Sequence, residues 1–330
     1  MLCPATDRIC SVSNILCYEL EVYLYNYLIY CNLCFAVEVA WSMKVLFPKF
    51  DKIGVPLLGA AVITLFVWQL KRPLRRRVRV LEERFVENGS IALTAMPALR
   101  FALLPAMYAT ARYANRQNIG ILQWFKVPGL LKYALGFALL DYSNYLLHVL
   151  LHKVPLLWRF HNVHHTDMDL DLSTAWRFHV GENIASVPYR SMAVAVIGVP
   201  APLVLFYEVV FEGCTAFHHS NLRLPYKFER TLCRFVVTPR MHGIHHSVVK
   251  NETDSNYSVI FSCWDRLHRT LRLNTHQKDL LIGVPSYRDP AEQTPTELLL
   301  MPFKKQRPWQ LPNGEVPVRE ERGERGELLP

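Results

Sequence analysis

The hydrophobic pattern of the chain is dominated by long stretches that carry no charge. Residues 53–70 form the clearest of these, an uncharged run of 18 residues. An α-helix of about 20 apolar residues spans the hydrocarbon core of a bilayer. The pattern therefore predicts a membrane-spanning helix over 53–70.

Two further stretches have the same character. Residues 88–111 are apolar except for Arg100, and Pro97 and Pro105 are expected to kink the helix there. Residues 133–151 are apolar around two polar positions. Both stretches are long enough to predict additional membrane segments.

A fourth stretch, residues 184–217, holds few charges and is interrupted by Pro200 and Pro202. This interruption predicts a hairpin of two shorter helices. Together the stretches predict an all-α fold, a multi-pass membrane helical bundle with about four or five membrane segments. From about residue 220 the chain is more polar and is expected to form a helical cap at the membrane face.

Composition agrees with a membrane protein. The 330 residues are 51% hydrophobic, and this composition excludes a disordered chain. Charged residues make up 20% of the chain, which is below the roughly 25% typical of soluble domains. The net charge is +9, and six basic residues follow the first apolar run directly, at 71, 72, 75–77 and 79. Such a cluster is the usual cytoplasmic flank of a membrane helix. The alternatives are a buried soluble helix followed by a solvated charge run and, more weakly, a nucleic-acid site; no nucleic-acid partner is predicted.

The predicted segments also give an orientation. If the basic run is cytoplasmic, 88–111 crosses outward, about 129–147 returns, and the hairpin 184–217 goes out and back. Every histidine-rich segment then lies on the cytoplasmic side. If 88–111 were itself a hairpin, the number of membrane crossings would change and this assignment to the cytoplasmic side would fail.

Five of the eight cysteines lie in the first 34 residues, among them the pair Cys31-x-x-Cys34. That spacing suits zinc or redox chemistry, but no second pair or nearby histidine supports it. Reduced thiols are expected throughout. The N-terminal composition differs from the rest of the chain, and one hypothesis is that the native protein starts at Met43.

The histidines carry the strongest chemical signal. All 13 lie at or after position 148, and they form one H-x-x-x-H and two H-x-x-H-H groups. On a helix, residues spaced i, i+3 and i+4 share one face, so each group presents its imidazoles together. The members of these groups are His148, His152, His161, His164, His165, His242, His245 and His246. Asp141, at i−7 from His148, is expected on the same face and could orient a ring N–H.

His179 and His219 are plausible additional ligands, whereas His218 is expected to point elsewhere. His268 and His276 have no partner at ligand spacing and are interpreted as structural or solvated. Eight to ten histidines exceed what one ion can use, so two metals are predicted. Imidazole suits Zn, Cu, Fe and Ni, and ligand type alone does not separate iron from zinc.

The motifs resemble the fatty acid hydroxylase superfamily and, within it, the sterol desaturase family proteins of bacteria. The likeness covers roughly 120–275. It rests on Leu-Leu-Asp-Tyr at 139–142, Pro-Leu-Leu-Trp-Arg-Phe-His-Asn-Val-His-His at 155–165, Ala-Trp-Arg-Phe-His at 175–179, His-Ser-Asn at 219–221, His-Gly-Ile-His-His-Ser at 242–247, Glu-Thr-Asp-Ser-Asn-Tyr at 252–257 and Trp-Asp-Arg at 264–266. One departure follows: residues 267–270 read Leu-His-Arg-Thr where the family usually has Leu-Phe-Gly-Thr. The departure lies outside the ligand groups and affects the local turn.

The resemblance implies an integral membrane oxidoreductase with two iron ions, which uses O₂ to hydroxylate or desaturate a C–H position of a fatty acyl or sterol-like lipid. It implies that the eight grouped histidines are metal ligands, with His179 and His219 as additions, and that Asn256 joins Asp141 in orienting them. No flavin, haem or NAD fingerprint is visible, so electrons are expected from a cytochrome b5-like or ferredoxin-like donor. The bacterial inner membrane is favoured over the endoplasmic reticulum.

The implied domains are an atypical N-terminal extension (1–42), N-terminal membrane segments with the basic linker (43–128), the catalytic domain (129–275) and a polar, partly disordered C-terminal tail (276–330). Two other functions remain open. One is a zinc-dependent membrane hydrolase that uses the same ligands. The other is a non-catalytic membrane protein that binds metal or lipid.

Overall fold

The computed structural model describes residues 50–125 and 127–319, so the N-terminal extension and the Cys31–Cys34 pair lie outside the described residues. The described chain is helical, with only isolated β-bridges. Its helices are α1 (Val55–Lys71), α2 (Leu81–Ala98), α3 (Leu104–Arg116), α4 (Ile121–Trp124), α5 (Gly129–Lys153), α6 (Pro155–His165), α7 (Val180–Ile197), α8 (Ala201–His219), α9 (Tyr226–Leu232), α10 (Pro239–His245), α11 (Lys250–Thr253), α12 (Cys263–Leu267) and α13 (Pro295–Leu300).

Three helical stretches in this part of the chain are long and apolar enough to cross a membrane: Asp51–Lys71, Leu81–Trp124 and Gly129–Lys153. The second contains a π-helical turn, Leu99–Leu103, between α2 and α3. This turn lies between Pro97 and Pro105, where the sequence predicts a kink, because a proline removes a backbone hydrogen bond.

The predicted hairpin over 184–217 is formed by α7 and α8, which are separated by Gly198 and Pro200. Neither helix is among the three membrane candidates, so the described residues give three such stretches rather than four or five. The charged side chains contribute to this result by lowering the mean hydropathy of the two helices, since α7 carries Glu182 and Arg190 and α8 carries Glu208 and Glu212.

The turns that close the bundle at one end meet at two glycines. A Cβ on Gly120 would lie 2.4 Å from the Cα of Gly198, and both glycines have positive φ angles. Asn115 and Gln123 add side-chain hydrogen bonds to the carbonyls of Val199 and Gly198. The turn after α3 and the turn after α7 therefore share one end of the bundle.

The opposite end collects the last turns of α1, α5 and α8. Gln69, near the end of α1, is fully buried, and its side-chain oxygen accepts hydrogen bonds from the backbone N–H groups of Leu172 and Asn221. Asn221 follows the last histidine of α8 by two residues. All the histidine groups lie at this end, as the alternation of helix directions predicts.

The basic run after α1 is part of this end of the structure. The backbone N–H and side chain of Arg75 bond to Asn221 and Gln277, and burial lowers the pKa of the Arg75 guanidinium to about 10. The backbone N–H groups of Val78 and Arg79 donate to the carboxylate of Asp169. The run thus ties α1 to the loops that carry histidines, in addition to any role as a topology signal.

A second small core lies beside the histidines. Leu298 and Met301 pack with Ile91 and Val163 there. Where the sequence predicts a polar C-terminal tail, residues up to 319 are placed against the domain, and Trp309 lies with its ring centroid 6.0 Å from that of Trp158. The apolar side chains that anchor this segment are too widely spaced to form a periodic face.

Candidate metal centre

Nine buried histidines form two clusters, and within each cluster one ring nitrogen of every histidine lies within 4.8 Å of those of the other members. The first cluster contains His148, His152, His161, His165 and His245. The second cluster contains His164, His219, His242 and His246. Each of the two H-x-x-H-H groups contributes histidines to both clusters, so these two groups lie between the candidate sites.

Short helices carry these rings into position. His148 and His152 occupy the last two turns of α5, and Pro155 begins α6 two residues after α5 ends. Helix α10 begins at Pro239, with Thr238 as its N-cap, and brings in the third group. His219 is the last residue of α8. Proline at the first position of α6 and α10 fixes where each helix starts.

Backbone carbonyls orient several of the rings. The Nδ1 atoms of His148, His219 and His245 lie 2.7, 2.8 and 2.7 Å from the carbonyl oxygens of Tyr257, Thr215 and Ser255. A carbonyl only accepts, so each Nδ1 carries the hydrogen and each Nε2 keeps a lone pair. The Nε2 atoms of His148 and His245 are buried and have no hydrogen-bond partner among residues 50–125 and 127–319.

A carboxylate orients a fourth ring. Glu182 of α7 is buried, and its Oε1 accepts a hydrogen bond from Nδ1 of His161 at 3.1 Å. Metal-binding histidines commonly donate their other N–H to such a group. Glu182 is not predicted from the sequence pattern; the available signal is a carboxylate in the otherwise apolar stretch that follows His179.

The spacing of the nitrogens fits shared ions. In the second cluster, the Nε2 of His219 lies 3.0 Å from those of both His164 and His242, and the Nε2 atoms of His242 and His246 are 3.2 Å apart. Two nitrogens bound at right angles to one ion, about 2.1 Å from it, would be about 3.0 Å apart. The residues therefore fit a pair of metal ions.

The protonation states fit as well. Burial is the largest cause that lowers the pKa of His164, His165, His242, His245 and His246, and neighbouring histidines lower it further. A low pKa keeps an imidazole neutral at physiological pH. Neutral imidazole is the form that binds metal.

His179 lies outside both clusters. Its Nδ1 accepts a hydrogen bond from the backbone N–H of Gly181 at 2.9 Å and caps α7, and its Nε2 lies 3.2 Å from the carbonyl oxygen of Leu299. Both ring nitrogens are therefore engaged away from the clusters. Its neighbour in the sequence motif, Phe178, instead stacks on His164 with 4.4 Å between ring centroids.

His218, which is expected from its sequence position to point elsewhere, is buried beside the second cluster. Its ring centroid lies 4.1 Å from that of His242 and 4.7 Å from that of His219. Its Nδ1 has no hydrogen-bond partner among the described residues. Its neighbour His219 occupies the cluster position itself.

Asp141 and Asn256 act on the backbone around the histidines rather than on their rings. The Asp141 carboxylate accepts hydrogen bonds from the backbone N–H groups of Ile260 and Phe261 and from the indole of Trp264. Asn256 donates to the carbonyl of Met241, beside His242. The expectation that Asp141 orients a ring N–H is thus replaced by a role in anchoring the 260–264 loop to α5.

The unusual segment 267–270 forms a turn in which Arg269 has a φ of 58°. Glycine favours this region, which explains why a glycine is usual at that position. His268 stacks on Tyr145, with 5.0 Å between ring centroids, and bonds to the hydroxyl of Tyr142. The departure from the motif therefore leaves both clusters intact.

A mostly apolar cavity extends from the clusters into the helical bundle. Its apolar walls include Met96, Leu99, Leu103, Leu147, Leu151 and Phe211. Six histidines line its inner end: His148, His161, His164, His218, His219 and His242. An apolar ligand in this cavity would lie directly against both clusters.

The fatty acid hydroxylase family matches residues 133–270. Across 199 residues the chain is 26% identical to the ornithine lipid hydroxylase OlsE of Rhizobium tropici, covering 60% of this chain and 58% of that protein. It is 29% identical to cholesterol 25-hydroxylase of Rattus norvegicus, covering 48% and 53% of the two chains, and 28% identical to alkylglycerol monooxygenase of Danio rerio, covering 54% and 38%. The matches thus span little more than half of these relatives at most. No solved structure matches the chain.

The family match begins in α5, ends in the turn after α12, and contains all nine clustered histidines. The three relatives named above are hydroxylases or monooxygenases, two of them named for a lipid or sterol and the third for alkylglycerol. With its apolar helices, the chain is an integral membrane protein. Residues 133–270 match the fatty acid hydroxylase family, so the clustered histidines lie in the part of the chain that is similar to lipid and sterol hydroxylases.

Proposed function

We propose that this protein is a membrane-bound, O₂-dependent oxidoreductase that hydroxylates a C–H position of a lipid. The observation that carries the proposal is the placement of two buried histidine clusters at the inner end of an apolar cavity. A hydrocarbon substrate offers no polar handle at the reacting carbon. Burial of that carbon beside the metals in a water-poor cavity is what such chemistry needs.

The proposed cofactor is a pair of iron ions, one held by each cluster. His148, His152, His161, His165 and His245 would hold one ion, and His164, His219, His242 and His246 the other. When bound, the pair supplies the redox chemistry that activates O₂. Neutral imidazoles suit iron, although they also suit zinc.

The chain itself supplies orientation and exclusion of water. Carbonyls of Tyr257, Thr215 and Ser255 hold the rings of His148, His219 and His245 with Nε2 free. Glu182 does the same for His161. Apolar side chains of α2, α5 and α8 would hold the hydrocarbon against the clusters.

The balanced reaction takes one C–H bond, O₂, two electrons and two protons to one C–OH group and one water. The electrons would come from an external one-electron carrier, such as a cytochrome b5-like or ferredoxin-like protein. The basic run at 71–79 supports a cytoplasmic location of the histidine end, and we propose the bacterial inner membrane as the site of action.

The substrate class is proposed from the relatives. The names of three of them concern ornithine lipid, cholesterol and alkylglycerol, which share long or extended hydrocarbon parts. Their names also favour hydroxylation over desaturation. A fatty acyl or sterol-like lipid with an accessible hydrocarbon segment is therefore the proposed substrate.

The test combines metal analysis with O₂ uptake. Iron and zinc per chain are measured in the detergent-purified protein, and lipid-dependent O₂ consumption is followed with a chemical reductant. About two irons per chain and stoichiometric hydroxylated product are expected, and His245→Ala should abolish the product while His276→Gln, outside both clusters, should not. Lipid cleavage without O₂ consumption after loading with zinc would instead establish the hydrolase. Folded protein that neither binds metal nor turns over lipid would overturn both enzymes.

A further inference from the structure

The cavity contains a charged group that the metal chemistry does not use. Arg190 of α7 and Glu208 of α8 form a buried ion pair about halfway along their helices. Glu212, one helical turn closer to the histidines, also lines the cavity. A buried charge is costly unless it is paired, so an additional carboxylate in a mostly apolar cavity is a candidate binding group.

Arg190 and Glu208 balance each other, which leaves Glu212 as a surplus carboxylate. Glu212 is partly accessible, and no hydrogen bond among the described residues uses its oxygens. The guanidinium of Arg190 also lies over the ring of Phe211, 5.3 Å from its centroid, and its Nε has no hydrogen-bond partner in the described chain. The cavity therefore offers an acceptor in Glu212 and an incompletely used donor in Arg190.

A polar face of α8 connects this group to the metal clusters. Glu212, Thr215 and His219 are spaced by three and four residues, so they lie on one face of the helix. Thr215 lines the same cavity, and its hydroxyl is buried with no hydrogen-bond partner in the part of the chain that the structure describes. Its carbonyl accepts the Nδ1 hydrogen of His219. Seven residues separate Glu212 from His219, which corresponds to about 10 Å along the helix axis.

We infer that the cavity selects lipids that carry a hydroxyl group, which binds between Glu212 and Arg190 and delivers a carbon about 10 Å away to the clusters. A hydroxyl fits because it both donates and accepts: it would donate to the Glu212 carboxylate and accept from Arg190. An amine only donates, and an ether oxygen only accepts. The inference rests on the proposed function for the fate of that carbon, but the binding preference can be measured without turnover.

The test measures equilibrium binding to the purified full-length protein in detergent under nitrogen. The probes are 1-hexadecanol, hexadecylamine and hexadecyl methyl ether, each displacing the same fluorescent fatty alcohol. Wild type is expected to bind the alcohol at least about tenfold more tightly than the ether, because a hydrogen bond to a charged group is lost with the ether. Glu212→Leu should remove this preference.

Two further variants separate specific from general effects. Glu212→Gln keeps an acceptor oxygen without the charge, so it should retain part of the preference for the alcohol. Met96→Leu changes an apolar wall of the same cavity and should leave the ratio of alcohol to ether affinity unchanged. Folding of each variant is checked by helical content and by its elution as a single species.

Equal affinities for the alcohol and the ether in wild type, or an unchanged ratio in folded Glu212→Leu, would overturn the inference. Tighter binding of the amine than of the alcohol would replace the hydroxyl with a cationic group and overturn it as well. These outcomes are distinct from failure of the proposed function, which would appear as absent O₂ consumption while the binding preference persists. Conversely, efficient hydroxylation of a lipid without any polar group would leave the proposed function intact and reject this inference.

Discussion

Glu182 on α7 accepts a hydrogen bond from Nδ1 of His161 on α6 across 3.1 Å. The second carboxylate oxygen is buried without a partner, so this contact is the only hydrogen bond of the Glu182 side chain among the described residues. It fixes which nitrogen of His161 is free and couples the cavity wall to the first cluster. Glu182 is therefore a positioning residue for the metal centre.

Replacement of Glu182 by leucine should weaken metal binding at the first cluster by about 10- to 100-fold, because His161 loses its fixed orientation. Competition with a metal chelator, followed by metal analysis, measures this change. Glu83→Leu is the matched control, since Glu83 is an exposed glutamate of α2. Equal metal retention in the Glu182 variant and wild type would contradict the assignment.

Substitutions at His179 and His245 distinguish two roles of the histidines, which are helix capping and metal binding. His245→Ala removes a nitrogen from the first cluster, so the protein should lose about one metal ion per chain. His179→Ala should keep its metals but lose an N-cap, at a cost of about 1 kcal/mol in the stability of the fold. Metal content and thermal unfolding, measured together, distinguish these outcomes, and loss of metal in the His179 variant would restore it as a ligand.

The helices and the histidine groups are predictable from local patterns, but the division into clusters is not. His161 and His165 enter one cluster while His164, on the same helix, enters the other. This division depends on where α6 and α10 are placed relative to the other helices, which is set by long-range packing. Spacing identifies which residues share a face, but it does not show which partner helix each ring meets.

Asp141 shows a limit of periodic reasoning. At i−7 it shares a helical face with His148, as the sequence predicts, yet seven residues separate them by about 10 Å along the axis. A carboxylate at that distance meets a different neighbour, here the loop containing Phe261. Glu182 is missed for the complementary reason, because it comes to His161 from another helix.

The metal-free protein should lose stability as the pH falls below about 6.5. Burial lowers the pKa of His164, His165 and His246 in the folded state, whereas the same residues take up protons near pH 6.5 when unfolded. The unfolded state therefore binds more protons below that pH, and each such histidine reduces the free energy of unfolding by up to about 1.4 kcal/mol per pH unit. The stabilisation is complete above pH 6.5.

Thermal unfolding of chelator-treated protein between pH 8 and pH 5 measures this dependence. His165→Phe keeps a ring in the cluster but removes one titrating group, so its stability should depend less steeply on pH. A midpoint that is constant from pH 8 to pH 5 in the metal-free wild type would show that the clustered histidines do not resist protonation.

The approach of Gly120 to Gly198 gives a structural prediction at the end of the bundle far from the histidine clusters. Alanine at position 120 would adopt a φ of 104°, and its Cβ would lie 2.4 Å from the Cα and 2.5 Å from the backbone nitrogen of Gly198. Neither backbone atom can rotate away, so the two turns must separate. We expect Gly120→Ala to destabilise the fold by about 3 kcal/mol or more. Gly89→Ala, in open space within α2, should instead be neutral or stabilising. Thermal unfolding of the two variants side by side tests this contrast, and equal midpoints would show that the turns after α3 and α7 do not meet at these glycines.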